Sequence, residues 1–177
     1  APLGIRGDGG DGVCYVYWNE PASSGGVDLE NYLIYRSEED DDRSLVAESS
    51  LSQPFYIDRD VENGMVYNYS IVAVNEKGES VPSEYLEIMP RGKPSEPQVF
   101  TAVQVNDTMV LQWNPPSNNG GAEITGYVIT RTLGDDSTMV NVDGDARRYV
   151  DDQVLSGVDV TYSIEARNAI GNSEELT

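Results

Sequence analysis

The sequence has no histidine and a single cysteine, Cys14. Without histidine it lacks the commonest general base, the usual zinc ligand and the side chain that titrates near neutrality. One thiol excludes an intrachain disulfide and a cysteine metal cluster. No apolar run approaches the roughly 20 residues that a membrane-spanning helix needs, so membrane insertion is not expected. Basic residues are scarce: 11 Lys and Arg stand against 31 Asp and Glu, for a net charge of −20. A polyanion is repelled by nucleic acid and by anionic membranes, which leaves cations and basic protein surfaces as the partners favoured by charge. The opening Ala1-Pro2-Leu3 shows no basic-then-apolar leader. No amphipathic helical pattern stands out.

What is present is a repeat. Gly25-Gly26-Val27-Asp28-Leu29-Glu30-Asn31-Tyr32-Leu33-Ile34-Tyr35-Arg36 matches Gly120-Gly121-Ala122-Glu123-Ile124-Thr125-Gly126-Tyr127-Val128-Ile129-Thr130-Arg131. Trp18 falls on Trp113, Pro21 on Pro116 and Pro2 on Pro97 at the same spacing. Further on, Ala73-Val74-Asn75 and Gly78-Glu79-Ser80 match Ala166-Arg167-Asn168 and Gly171-Asn172-Ser173. Ordered matches of this kind indicate a duplicated module. The boundary falls at Pro90–Pro97, a Pro-rich polar stretch without alternation that reads as a short stiff linker. The expected division is module one over 1–90, linker over 91–97 and module two over 98–177.

Within each copy the apolar residues alternate at period two. Cys14, Val16 and Trp18 interleave with Tyr15 and Tyr17, and Tyr67, Tyr69, Ile71 and Ala73 interleave with polar neighbours. Such runs, bounded by Gly, Asn, Asp and Pro turns, predict short antiparallel strands, and several per module predict a sandwich.

The tryptophan closing the second strand, the proline and Gly-Gly turn after it, the tyrosine opening the third strand and the Tyr67-x-Tyr-x-Ile-x-Ala-x-Asn-x-x-Gly-x-Ser80 run together resemble the fibronectin type III module, twice over nearly the whole chain. The resemblance implies an all-β chain of two immunoglobulin-like seven-stranded β-sandwiches in tandem. Strands one, two and five would form one sheet and the rest the other. It implies cores built on Trp18 with Tyr32 and Trp113 with Tyr127, and a corner tyrosine, Tyr67, whose hydroxyl bonds to nearby backbone. Module two carries Val160 at that corner, and its last strand is about half present at Thr177, which aligns with Glu84.

Four groups of residues are candidate sites. Arg6-Gly7-Asp8 is the integrin-recognition tripeptide, placed by sequence in a glycine-rich loop after the first strand. Glu38-Glu39-Asp40-Asp41-Asp42 is an acidic run that would take Ca²⁺ if it took an ion; contiguous carboxylates diverge, which favours a solvated loop. Leu33, Tyr35, Val72 and Val74 fall on the outward face of strands three and six and would form an apolar patch absent from module two. Outward Tyr15 and Tyr17 form a lesser one. Two glycosylation sequons occur, Asn68-Tyr69-Ser70 and Asn106-Asp107-Thr108. Cys14 shares the inward register of Trp18 and reads as a small buried hydrophobe.

No catalytic constellation emerges. The resemblance implies a non-catalytic spacer, adhesion or protein-binding segment of a larger secreted or cell-surface protein, without a cofactor, whose partners are proteins or neighbouring domains. The alternatives are accessory modules of a secreted polysaccharide-degrading enzyme and a Ca²⁺-stabilised surface-protein segment.

Overall fold

The computed structural model describes residues 1–38, 43–154 and 157–177. The chain divides into two compact units, Ala1–Arg91 and Gly92–Thr177, each a sandwich of two antiparallel sheets. In the first unit β1 (Leu3–Gly10), β2 (Val13–Asn19) and β5 (Phe55–Asp58) make one sheet in the order β1-β2-β5. The other sheet holds β4 (Ser44–Ser50), β3 (Leu29–Glu38) and β6 (Tyr67–Asn75), with β7 (Gly78–Glu79) and β8 (Leu86–Ile88) both on the free side of β6. The second unit repeats the plan. It pairs β13 (Arg148–Asp151), β10 (Thr108–Asn114) and β9 (Gln98–Val105) in one sheet, and β12 (Asp136–Asp143), β11 (Gly126–Leu133) and β14 (Thr161–Arg167) in the other. Strands one, two and five do share a sheet in each copy.

The alternation in sequence becomes two faces in space. Cys14, Val16 and Trp18 point into the first core with Tyr32, Ile34, Tyr69 and Ile71, all essentially without solvent exposure. Trp18 meets Tyr32 edge-on, centroids 5.5 Å apart, and Trp113 meets Tyr127 at 5.3 Å. Edge-to-face geometry sets the positive rim of one ring against the negative face of the other.

The repeated glycines and serines have visible causes. Gly120 and Gly121, like Gly25 and Gly26, adopt positive φ, and a Cβ on Gly120 would strike the carbonyl of Gly92. The seventh strand of the first unit is split, and serine hydroxyls bridge the gap. Ser80 and Ser83 accept from the amides of Ala73 and Ile71 at 3.0 Å, where a regular ladder would offer carbonyls. Ser173 does the same for Ala166 at 2.9 Å. The asparagine of each Ala-x-Asn pins the Gly-Gly loop: Asn75 donates to the Ser24 carbonyl, and Asn168 to those of Asn119 and Gly92.

Pro90 accepts from Gly64 and Arg91 donates to Gly10, both in the first unit, while Gly92 and Ser95 donate to Gly120 and Asn118 in the second.

Candidate interaction face of the first unit

Tyr67 behaves as the resemblance implies: its buried hydroxyl accepts from the Glu62 amide at 2.8 Å. Valine at 160 has no hydroxyl with which to repeat this.

Arg6-Gly7-Asp8 is not in a loop. It lies inside β1, with Arg6 opposite Tyr17, Gly7 opposite Val16 and Asp8 opposite Tyr15. The glycine is there for packing. A Cβ on Gly7 would run into the Tyr15 carbonyl and come within 2.8 Å of Ile88 Cδ1, and one on Gly9 would meet the Met89 carbonyl at 2.7 Å. The segment 86–90 crosses so close beneath β1 that positions 7 and 9 must be bare. Arg6 and Asp8, alternating with these glycines, project outward and are exposed.

The patch expected from Leu33, Tyr35, Val72 and Val74 is largely closed. Val72 is 1% exposed and Leu33 9%; they stand opposite each other on β6 and β3. Tyr35 is half-buried, with the Arg43 guanidinium 4.5 Å above its ring, and Val74 is half-buried. Alternation correctly put these side chains on the face away from the core, but side chains on the same sheet cover one another. Of the acidic run, Glu38 is exposed at the end of β3 opposite Tyr67, and Glu39, Asp40, Asp41 and Asp42 lie outside the described residues. Among the described residues no three carboxylates or thiols converge as metal ligands do. Asn106 of the second sequon sits exposed in the turn of the β9–β10 hairpin, whereas Ser70 of the first is buried in β6.

A row-by-row set of exposed apolar side chains is found on the other sheet. Cross-strand register sets two parallel rows on the outer face of β1-β2-β5: Arg6–Tyr17–Phe55 and Asp8–Tyr15–Ile57. Tyr17, Phe55 and Ile57 are 37%, 40% and 37% exposed. Arg6 lies over the Tyr17 ring at 5.9 Å, and Tyr17 and Phe55 sit tilted with centroids 6.4 Å apart. The corresponding rows in the second unit are Thr101–Gln112–Arg148 and Val103–Val110–Val150. One row there is polar, no aromatic remains, and Thr101 and Val103 stand where the first unit has Arg6 and Asp8. Tyr15 and Tyr17 were visible in sequence as outward; Phe55 and Ile57 were missed because β5 is only four residues long and carries no alternation long enough to read.

Beneath this face lies a buried clamp that alternation also did not show. Asp58, at the end of β5, is 1% exposed. Its Oδ2 accepts from Arg36 Nη1 and from the Tyr69 hydroxyl, each at 2.8 Å, and its Oδ1 accepts from the Asp60 amide at 3.0 Å. Arg36 and Tyr69 belong to the opposite sheet, so the carboxylate ties β5 to β3 and β6 and fixes the strand that presents Phe55 and Ile57. Asp151, Arg131 and Tyr162 repeat the arrangement at 2.8–3.1 Å. The signal was available: Arg36 and Arg131 close the first repeated block, and Asp58 and Tyr69 recur at the spacing of the second. Burial raises the Tyr69 hydroxyl far above its usual range, and the bond to Asp58 adds to this. Burial also pushes the Asp151 carboxyl up, but the Gln153 amide, the Tyr162 hydroxyl and Arg131 outweigh it and hold the carboxyl below the usual range. Cys14 is fully buried, and burial raises its thiol, the opposite of what a nucleophile requires.

Comparison with known proteins agrees with this architecture. Residues 92–177 match the family model for the fibronectin type III domain. Cardiac-type myosin-binding protein C of Gallus gallus is 34% identical over 123 residues, covering 68% of this chain and 10% of that protein. Titin of Drosophila melanogaster is 27% identical over 164 residues, 87% of this chain and 1% of that protein. The chain thus spans about a tenth of the length of the first curated relatives it matches. Among solved structures, the chicken CNTN1 FN1–FN3 domains align with a TM-score of 0.60 at 18% identity, over 99% of this chain and 64% of that one. A two-domain fibronectin type III segment of chicken tenascin aligns with a TM-score of 0.50 at 18% identity, over 99% and 95%. The second unit is a fibronectin type III domain, and with the first unit repeating its strand plan the chain belongs to that family as a tandem pair.

Proposed function

We propose that this chain is a non-catalytic protein-binding segment of a longer secreted or cell-surface protein, in which the first unit supplies the contact and the second acts as a spacer. The observation that carries this is the difference between the copies. Both share the core, the clamp and the Gly-Gly loop, yet only on the first does this face carry a plateau of exposed Tyr17, Phe55 and Ile57 with half-buried Tyr15, flanked by opposite charges. Structural needs are common to both units, so they do not account for large aromatics placed in water on one of them. Aromatic side chains beside arginine are the composition of binding hot spots.

The test is site-specific photo-crosslinking of the parent protein in its native setting. A photoreactive residue at Tyr17 is expected to give discrete protein adducts that Phe55→Ser abolishes, while one at Gln112 gives none. Equal adducts at the two positions, or none at either, would overturn the reading. Added protease should digest the segment on intact cells; complete protection would overturn the surface placement.

A further inference from the structure

The two rows of this face are complementary to each other. We infer that the plateau of the first unit pairs with the same plateau on a second copy of this chain. This rests on the reading of that face as a binding site and names its occupant.

Arg6 and Asp8 are two positions apart on β1, about 7 Å along the strand, and both face outward. Consider a second copy laid face to face, related by a twofold axis that runs between the two faces, perpendicular to β1 and level with Gly7. The axis reverses the strand direction and keeps the order β1-β2-β5. Each row then meets the other row of the partner. Arg6 faces Asp8, Tyr17 faces Tyr15 and Phe55 faces Ile57, and every contact occurs twice. A closed dimer needs a self-complementary surface of this kind. It is charge-neutral in a chain of net charge −20, so acids elsewhere do not enter the contact itself. The antiparallel stacking it creates falls in the aligned class of sheet packing. A Debye length of about 8 Å at physiological salt screens the distant acids while leaving contact pairs largely intact. The second unit has no equivalent pairing, because Thr101 and Val103 replace the two charges. Six side chains make a small interface, so the dimer is weak and concentration-dependent.

The test is sedimentation equilibrium of the intact chain at physiological salt, supported by the concentration dependence of light scattering. The wild type is expected to show a monomer–dimer equilibrium. R6D and D8R each place like charges opposite one another and should weaken self-association at least about tenfold. The charge swap R6D/D8R keeps the surface self-complementary and should restore it. An equimolar mixture of the R6D and D8R single variants should associate although neither does alone. This last result is independent of folding defects, since both partners must be folded to give it. A monomeric wild type at all concentrations, a dimer indifferent to R6D, or a mixture that stays monomeric would overturn the proposal. A monomeric wild type that still gives the Tyr17 photo-adduct with another protein would overturn self-pairing alone and leave the binding reading standing.

Discussion

Arg36 of β3 and Asp58 of β5 meet across the two sheets of the first unit at 2.8 Å, and Arg131 and Asp151 repeat the contact at 3.0 Å in the second. The copies differ in their reserves. Arg36 also reaches exposed Asp60 at 3.6 Å and lies over the Tyr67 ring at 5.2 Å, whereas among the described residues Arg131 has no second acid within salt-bridge distance. Removing one partner of a buried pair leaves an uncompensated charge, at a cost of about 3–5 kcal/mol. Asp151→Ala should therefore destabilise its unit by that amount and Asp58→Ala by less. Trp18 and Trp113 are the only tryptophans, one per unit, so urea unfolding followed by fluorescence in Trp→Phe backgrounds reads each unit separately. Equal losses in the two units would show that the extra partners of Arg36 give no reserve, and losses under about 1 kcal/mol would remove the clamp from the account of stability.

A second asymmetry concerns the backbone. Gly4 of β1 adopts φ 55 where the β1–β2 register shifts. At the same place in β9, Val99 adopts φ 54 beside the corresponding shift. Left-handed backbone is open to glycine and costs an L-residue about 1–2 kcal/mol, with β-branched residues the least tolerant. Val99 is 68% exposed, so little packing is at stake in removing its side chain. Val99→Gly is expected to stabilise the second unit by about 1 kcal/mol, because relief of strain exceeds the entropy gained by the unfolded chain. Gly4→Val, which would bring a Cβ to 2.8 Å from Asn19 Nδ2, should destabilise the first. Thermal melts of the two variants check the signs, and a neutral or destabilising Val99→Gly would show that no strain resides there.

The two-copy sandwich was legible because its signals are local: period-two alternation, a tryptophan at each second strand's end, and glycines at fixed offsets. The candidate sites were less so, for three physical reasons. Alternation tells which face a side chain points to but not whether neighbours on that face bury it, which is how Val72 came to be only 1% exposed. A glycine reads as a turn when nothing shows the strand that crosses beneath it, as Ile88 does beneath Gly7. Short strands such as β5 carry too few residues to display a period, so Phe55, Ile57 and Asp58 passed unread even though the last recurs as Asp151.

The place of Gly7 in the packing separates the roles of the tripeptide's three residues. Gly7→Ala forces a methyl against backbone and against Ile88, and overpacking of this kind costs about 1–3 kcal/mol. Arg6→Ala and Asp8→Ala remove exposed side chains, and each should change stability by no more than about 0.5 kcal/mol. Chemical denaturation of the three variants gives the comparison. A tripeptide presented by a flexible loop would show the reverse, with Gly7→Ala tolerated.

The clamp also sets how the second unit responds to pH. Asp151 is held below the usual carboxylate range, so in the folded state it prefers to be charged. Its contribution is fully present above the unfolded value of about 3.9 and is lost as pH falls from there through the lower folded value. Tyr162 is shifted the other way, raised by burial and then by the bond to Asp151. Its contribution is present below the unfolded value of about 10 and is lost as pH rises beyond it. The stability difference between wild type and Asp151→Asn should be constant from about pH 5 to pH 9 and shrink below about pH 4, where the wild-type carboxyl is neutralised as well. Tyr162→Phe should remove this tyrosine's share of the alkaline loss. The remaining acids titrate in all three proteins, so differences between variants isolate the clamp from the general relief of repulsion that acid brings to a chain of net charge −20. An Asp151→Asn difference that persists unchanged down to pH 2 would mean that the carboxylate acts through its shape and hydrogen bonds alone, and that its charge does not contribute to folding.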